Sequence, residues 1–212
     1  MTGSPSAFIL AGMRAILSSL VLTIAGNAPA LHAQVDYNAR IGVTWATALL
    51  RDAVINEIEV RQKLAPTLVL GAALPIAPLY RAGLELALAT SGYQSKETGG
   101  TIVDLGTVHT GSITLGLDGP IFPGLRWRAG AGLLRYWPTD EQGIFLRGGT
   151  TRFLAGAGID YRHPVLPQWD VMASLRYDFH RFTTDELQAR GFTQSQGVQH
   201  MAATIGVARG RR

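Results

Sequence analysis

Three Pro-x-x-Pro segments, Pro75-Ile76-Ala77-Pro78, Pro120-Ile121-Phe122-Pro123 and Pro164-Val165-Leu166-Pro167, recur at intervals of 45 and 44 residues. Between successive segments run two stretches of alternating apolar and polar residues, joined by a longer polar connection. Period-two alternation sends successive side chains to opposite faces of an extended strand. Proline fixes φ and donates no backbone hydrogen bond, so it ends a hydrogen-bonded ladder. Short and long connections that take turns along the chain describe an up-and-down antiparallel barrel, with tight turns at one end and loops at the other.

The alternation predicts eight strands, at about 38–50, 66–75, 79–92, 103–118, 125–137, 151–162, 168–182 and 197–208. In the seventh, Trp169, Val171, Ala173, Leu175, Tyr177 and Phe179 oppose Gln168, Asp170, Met172, Ser174, Arg176, Asp178 and His180. The Pro-x-x-Pro turns join strands two to three, four to five and six to seven. The other connections carry Asn56, Gly99-Gly100, Asp140-Glu141-Gln142-Gly143 and Asp185 to Gly197. Strand two has an alternative start near Asn56, which makes the first hairpin tall.

Alternation alone does not say which face meets which solvent, and three features favour an apolar face turned outward to lipid. Most strand glycines share the polar face, among them Gly42, Gly71, Gly83, Gly106, Gly116, Gly130, Gly132, Gly156, Gly158 and Gly206, with Gly111 opposite. Glycine weakens a solvated strand, but inside a small barrel it leaves room for arginines. The charges of that face nearly balance, Arg40, Arg81, Arg126, Arg128, Arg152, Arg162 and Arg176 against Glu85, Asp104, Asp118, Asp160, Asp170 and Asp178, as buried charges require. Aromatics mark the ends of the apolar face: Trp127 and Trp137, like Trp169 and Phe179, are ten residues apart, which on tilted strands spans ~25 Å. Tyr80, Trp127, Tyr161 and Trp169 form a turn-side girdle, with Trp137, Phe153 and Phe179 nearer the loops. Arg135 is the clear charge on the apolar face, beside Trp137, where it reaches an interface.

Ahead of these strands, Arg14 precedes an apolar run from Ala15 to Ala25, and Leu31-His32-Ala33 supplies a small residue before Gln34. This is the pattern of a secretory signal peptide over residues 1–33, with a start at Met13 and cleavage after Ala33. Residues 34–212 then form one barrel domain. The absence of cysteine excludes disulfides, thiol catalysis and Cys-ligated metals. Despite a net charge of +4, the arginines are scattered singly through alternating segments, which argues against nucleic-acid binding.

With these features in place, the chain resembles the small eight-stranded outer-membrane barrels, the group of the OmpA transmembrane domain and OmpX, over about residues 35 to 208. The resemblance implies an all-β, eight-stranded antiparallel up-and-down transmembrane β-barrel whose short turns face the periplasm. One departure is the C-terminus, Ile205-Gly206-Val207-Ala208-Arg209-Gly210-Arg211-Arg212, where such proteins usually end in an aromatic residue read by the assembly machinery.

An eight-stranded barrel is just wide enough for its side chains, which argues against a diffusion pore and for an interior filled by ion pairs. The expected function is non-enzymatic: envelope structure, or loops offered to a surface ligand, by a monomer in the outer-membrane bilayer without cofactor or metal. Some barrels of this type are lipid-modifying enzymes, which makes His180 and Asp178 the weak catalytic candidates. A triad needs hydrogen-bond contact between successive members, and Ser174 lies roughly 20 Å from His180 along the strand, so Ser195 is the alternative nucleophile. His200 points inward without an evident partner set, and His109 points outward. Thr183-Thr184-Asp185-Glu186 lacks the spacing of a calcium loop and reads as a solvated loop. The remaining alternative is a soluble periplasmic barrel or sandwich that binds an apolar ligand.

Overall fold

The alternating segments become strands β1 (Asp36–Ala46), β2 (Leu50–Asp52), β3 (Ile58–Gln62), β4 (Ala65–Pro75), β5 (Arg81–Lys96), β6 (Ile102–Phe122), β7 (Leu125–Pro138), β8 (Thr150–Leu166), β9 (Trp169–Phe182) and β10 (Gln196–Arg209). This is a computed structural model, and it describes residues 35–52, 58–96, 102–141, 143–189, 191 and 194–209. The expected signal peptide lies outside the described residues. Eight strands close a ring: β1 pairs with β4 and β10, and the ladder runs on through β9, β8, β7, β6 and β5 back to β4, antiparallel throughout. The closing seam between β1 and β10 runs from Tyr37 opposite Arg209 to Ala46 opposite His200.

The two remaining strands extend the loop end. β3 pairs with the last residues of β5, from Glu59 opposite Lys96 to Gln62 opposite Tyr93, and β2 folds back on β3. The first hairpin is therefore tall. The strand expected over 38–50 is instead two pieces, β1 and β2, because the chain breaks at Thr47 to Leu49 and Leu49 becomes fully buried. Asn56 lies outside the described residues.

At the other end all three proline segments mark the connections, with one correction. Pro120 and Pro164 are strand residues, each beside a register shift in the ladder, at Pro120/Phe122 and Pro164/Leu166. A bulge is where a strand tolerates a residue with no N–H to donate. The turns proper are Pro123-Gly124 and Pro167-Gln168. Gly124 has φ of 82°, a value a side chain rarely tolerates. The β4–β5 turn is longer, closed by the Ile76 amide donating to the Tyr80 carbonyl at 3.0 Å.

The two faces are the reverse of a soluble barrel's, with the apolar side chains outside and the charged ones within. Ile41 is 65% exposed and Leu115 69%, whereas Arg40 and Asp160 are 2% and 1%. Tyr80 and Trp127 pack with ring centroids 6.4 Å apart on the outer face near the turns. Several interior glycines have a different cause from the one expected. Gly116 and Gly130 face each other across β6 and β7, and a Cβ on either would press on the partner strand's backbone, at 2.5 Å and 2.6 Å from its carbonyl oxygens. There the missing side chain lets two strands approach closely. Only where a polar side chain fills the space, as Asp178 does beside Gly156, is the glycine making room for the interior network.

Candidate functional site

The inward side chains form successive layers. Nearest the turns, Asp118 takes Arg81 at 2.7 Å and Arg126 at 2.5 Å, while Asp36 takes Arg81 and, at 3.4 Å, Arg162. Asp36 was missed by sequence reasoning because it precedes the first expected strand. At mid-height Glu85 accepts from Arg40, Arg128 and Arg176. Asp160 accepts from Arg128 at 2.8 Å and from the Ser174 hydroxyl at 2.6 Å. Carboxylates on four strands thus neutralise guanidiniums from neighbouring and facing strands, as buried charge requires. Arg152 and Asp104 stand apart from these layers: Arg152 donates to the Thr183 carbonyl, and Asp104 pairs with Lys63 outside the barrel at 2.8 Å. Cavities of about 40 Å³ and about 50 Å³ flank the Glu85 layer, room for a few water molecules at most.

Toward the loops the interior changes from charged to apolar and aromatic. Tyr93, Val108, Leu134, Tyr136, Leu154, Phe182 and Val198 point inward and pack with Leu49, Leu50, Val60, Ile144, Phe145 and Leu187. Phe145 comes from a short 3-10 turn, Gly143–Phe145, in the β7–β8 connection. It meets Tyr93 edge-on at 5.5 Å and Phe182 at 6.0 Å. Leu187 comes from a one-turn helix, α1 (Asp185–Ala189). Thr184 caps that helix by accepting the Leu187 amide at 3.2 Å, and its hydroxyl donates to the Ile144 carbonyl at 2.6 Å. The expected solvated loop is therefore corrected: Thr183, Thr184 and Glu186 are buried, because α1 folds down as a lid on the barrel mouth.

Between the ionic layers and the aromatic plug sits a three-ring cluster. The Tyr136 hydroxyl lies 3.0 Å from Nε2 of both His180 and His200, and the imidazoles stand 5.0 Å apart. A phenol has one proton to donate, so it donates to one imidazole and accepts from the other. His200 thus has the partner that sequence alone did not supply. His180 Nδ1 is buried without a hydrogen-bond partner. Asp178 bonds Arg176 at 2.9 Å and Ser174 bonds Asp160. Ser195 lies just before β10. Among the described residues no hydrogen bond joins His180 to Asp178, Ser174 or Ser195, so the structure does not bring the triad candidates together. His109 lies on the outer face between the hydroxyls of Thr90 and Thr139, at 2.9 Å and 3.2 Å.

The outermost surface is polar and tethered by side chains. Gln196 closes the edge of β2, accepting from the Arg51 amide at 2.8 Å and donating to its carbonyl at 2.7 Å. Arg51 and Arg61 bracket Glu59 at 2.7 Å and 2.9 Å. Those hydrogen bonds hold the Glu59 carboxyl below the ordinary carboxylate range. A carboxylate lowered in the folded state contributes stability above its unfolded pKa, and that contribution is lost as pH falls through the folded value. The amide protection of β2 and β3, corrected for the intrinsic pH dependence of exchange, is therefore expected to fall on acidification, by under about 1 kcal/mol for so exposed a pair. In Glu59→Gln the acid step attributable to this contact should disappear.

The ring of eight strands, polar inside and apolar outside, superposes on Neisserial surface protein A with a TM-score of 0.51, at 13% sequence identity, covering 82% of this chain and 96% of that one. The chain has the fold of a small outer-membrane barrel. Ail of Yersinia pestis, solved with the heparin analogue sucrose octasulfate, is similar with a TM-score of 0.47, at 14% identity over 84% of this chain and 99% of that one. OprG of Pseudomonas aeruginosa gives 0.47, at 15% identity over 84% and 96%. No protein-family model and no curated protein sequence matches.

Proposed function

We propose that the protein is a non-enzymatic outer-membrane β-barrel that spans the bilayer as a monomer and acts in envelope structure or through its loop-end surface. Residues 1–33 would direct its export, and the proline turns would face the periplasm. The observation that carries this reading is the inversion of the two faces. Side chains such as Ile41, Leu70, Leu86, Leu115 and Leu175 stand exposed around the wall while the arginines and carboxylates are buried. Soluble monomers rarely expose contiguous apolar surface on this scale, and a closed barrel satisfies every ladder hydrogen bond within a membrane. A soluble carrier of an apolar ligand needs an apolar cavity; the two cavities beside Glu85 are small and bordered by the charged Glu85 and Arg176.

The filled interior supports a structural role over a transport one, since two ionic layers and an aromatic plug lie in series across the lumen. The pairing of Asp178 with Arg176 and of Ser174 with Asp160 supports the non-enzymatic reading over a lipid hydrolase. Membrane fractionation, combined with gel mobility of heated and unheated samples, tests the proposal. The expected result is recovery with the outer membrane and a heat-dependent mobility shift. Recovery in the soluble fraction would overturn it.

A further inference from the structure

We propose that the outer wall over β4 to β7 carries a docking site for one phosphorylated, multiply acylated glycolipid of the leaflet at the loop end, its phosphate held by Arg135. The proposal rests on the membrane reading above. Most strand arginines turned inward are neutralised by carboxylates, as in the Glu85 and Asp118 layers. Arg135 instead points outward, and its hydrogen bond is to a neutral group, the Thr151 hydroxyl at 3.2 Å. Among the described residues no carboxylate forms an ion pair with it. A full charge at the edge of hydrocarbon calls for a counter-charge, and a guanidinium offers paired N–H groups in the geometry a phosphate accepts.

The surroundings complete a lipid-shaped site. Below Arg135 an apolar groove of about 410 Å³ is walled by Leu68, Leu70, Leu86, Leu88, Ile113 and Leu133. It crosses four strands, roughly 15 Å at the usual strand spacing, which is broader than one acyl chain. Gly111 lets the Trp137 ring lie flat over β6 at the head of the groove, since a Cβ there would lie 2.5 Å from that ring. Above Arg135 the rim is set, with His109 tied to Thr90 and Thr139 and its ring 6.4 Å from that of Trp137. From the loop end downward the wall carries the amphipathic rim, then the cation, then the broad apolar groove, so a phosphate held by Arg135 just under the rim has its acyl chains directed into the groove.

The test is native mass spectrometry of the purified full-length barrel in detergent, titrated separately with lipid A, dephosphorylated lipid A and phosphatidylglycerol. Wild type should retain lipid A over its dephosphorylated form and over phosphatidylglycerol. Arg135→Gln should lose about tenfold of that retention, and Arg135→Lys should keep part of it. The side chain faces outward, so both variants should show the wild-type heat-dependent mobility. Retention unchanged in Arg135→Gln, or equal retention of phosphatidylglycerol, would overturn the site while leaving the membrane barrel standing. A wild-type protein without membrane recovery or mobility shift would remove both.

Discussion

Glu85→Gln is expected to produce the largest loss of stability of any single substitution in the barrel. Glu85 is buried and accepts from Arg40, Arg128 and Arg176, which come from three different strands. Neutralising it leaves Asp160 to face two of these guanidiniums and Asp178 the third. Removing one partner of a buried ion pair costs about 3–5 kcal/mol because the other charge stays buried without compensation. Three guanidiniums left to share two carboxylates place the expected loss at the upper end of that range. Urea unfolding of the barrel refolded in detergent, followed by the loss of its unheated gel mobility, measures it. Arg61→Gln, on the exposed hairpin, is the control and should cost under about 1 kcal/mol. A loss of similar size in both would sink the idea that the network holds the staves together.

The second large effect is Phe145→Ala, and it should be confined to the loop end. Phe145 is fully buried against Tyr93, Tyr136 and Phe182, yet it belongs to a connection rather than a strand. Truncating a buried phenylalanine costs about 3–5 kcal/mol. Because the ladder of the barrel does not pass through this residue, the cost falls on docking of the β7–β8 connection and of α1, which the Thr184 bond to Ile144 couples to it. The barrel should keep its heat-dependent mobility. Limited proteolysis should cut near residues 143–148 and 185–189 much faster than in wild type. Loss of the barrel mobility itself would show that the plug is part of the folding core and not a lid on it.

The two expectations differ in how far they were legible beforehand. Glu85 and its arginines share one parity across the alternating segments, so their membership of an interior network follows from period two alone. The plug left a weaker trace. Val108, Leu134, Tyr136, Leu154, Phe182 and Val198 share the inward parity of the charged residues, a switch from polar to apolar at one end of several strands. Nothing in the strand pattern indicates that Phe145 and Leu187 descend from the connections to fill the mouth, because loop residues have no period from which a direction is read. His200 illustrates the same limit. Its parity placed it inside, but its partner Tyr136 lies 64 residues away, and only the closure of the ring through β1 and β10 gathers β7, β9 and β10 around one lumen.

Period-two alternation, with prolines and loops at alternate ends, determined the strand count of the ring, its up-and-down order and which residues share a face. Those are properties of local backbone geometry, in which each residue's face is set by its neighbours along the chain. The tertiary structure alone decided which arginine meets which carboxylate, why Gly116 and Gly130 carry no side chain, and that the proline segments end in bulges before two of the turns. It alone revealed the aromatic plug and the groove beneath Arg135. Each of these depends on strand register and on distance across the barrel, and contacts between residues far apart in the chain leave no periodic signal along it.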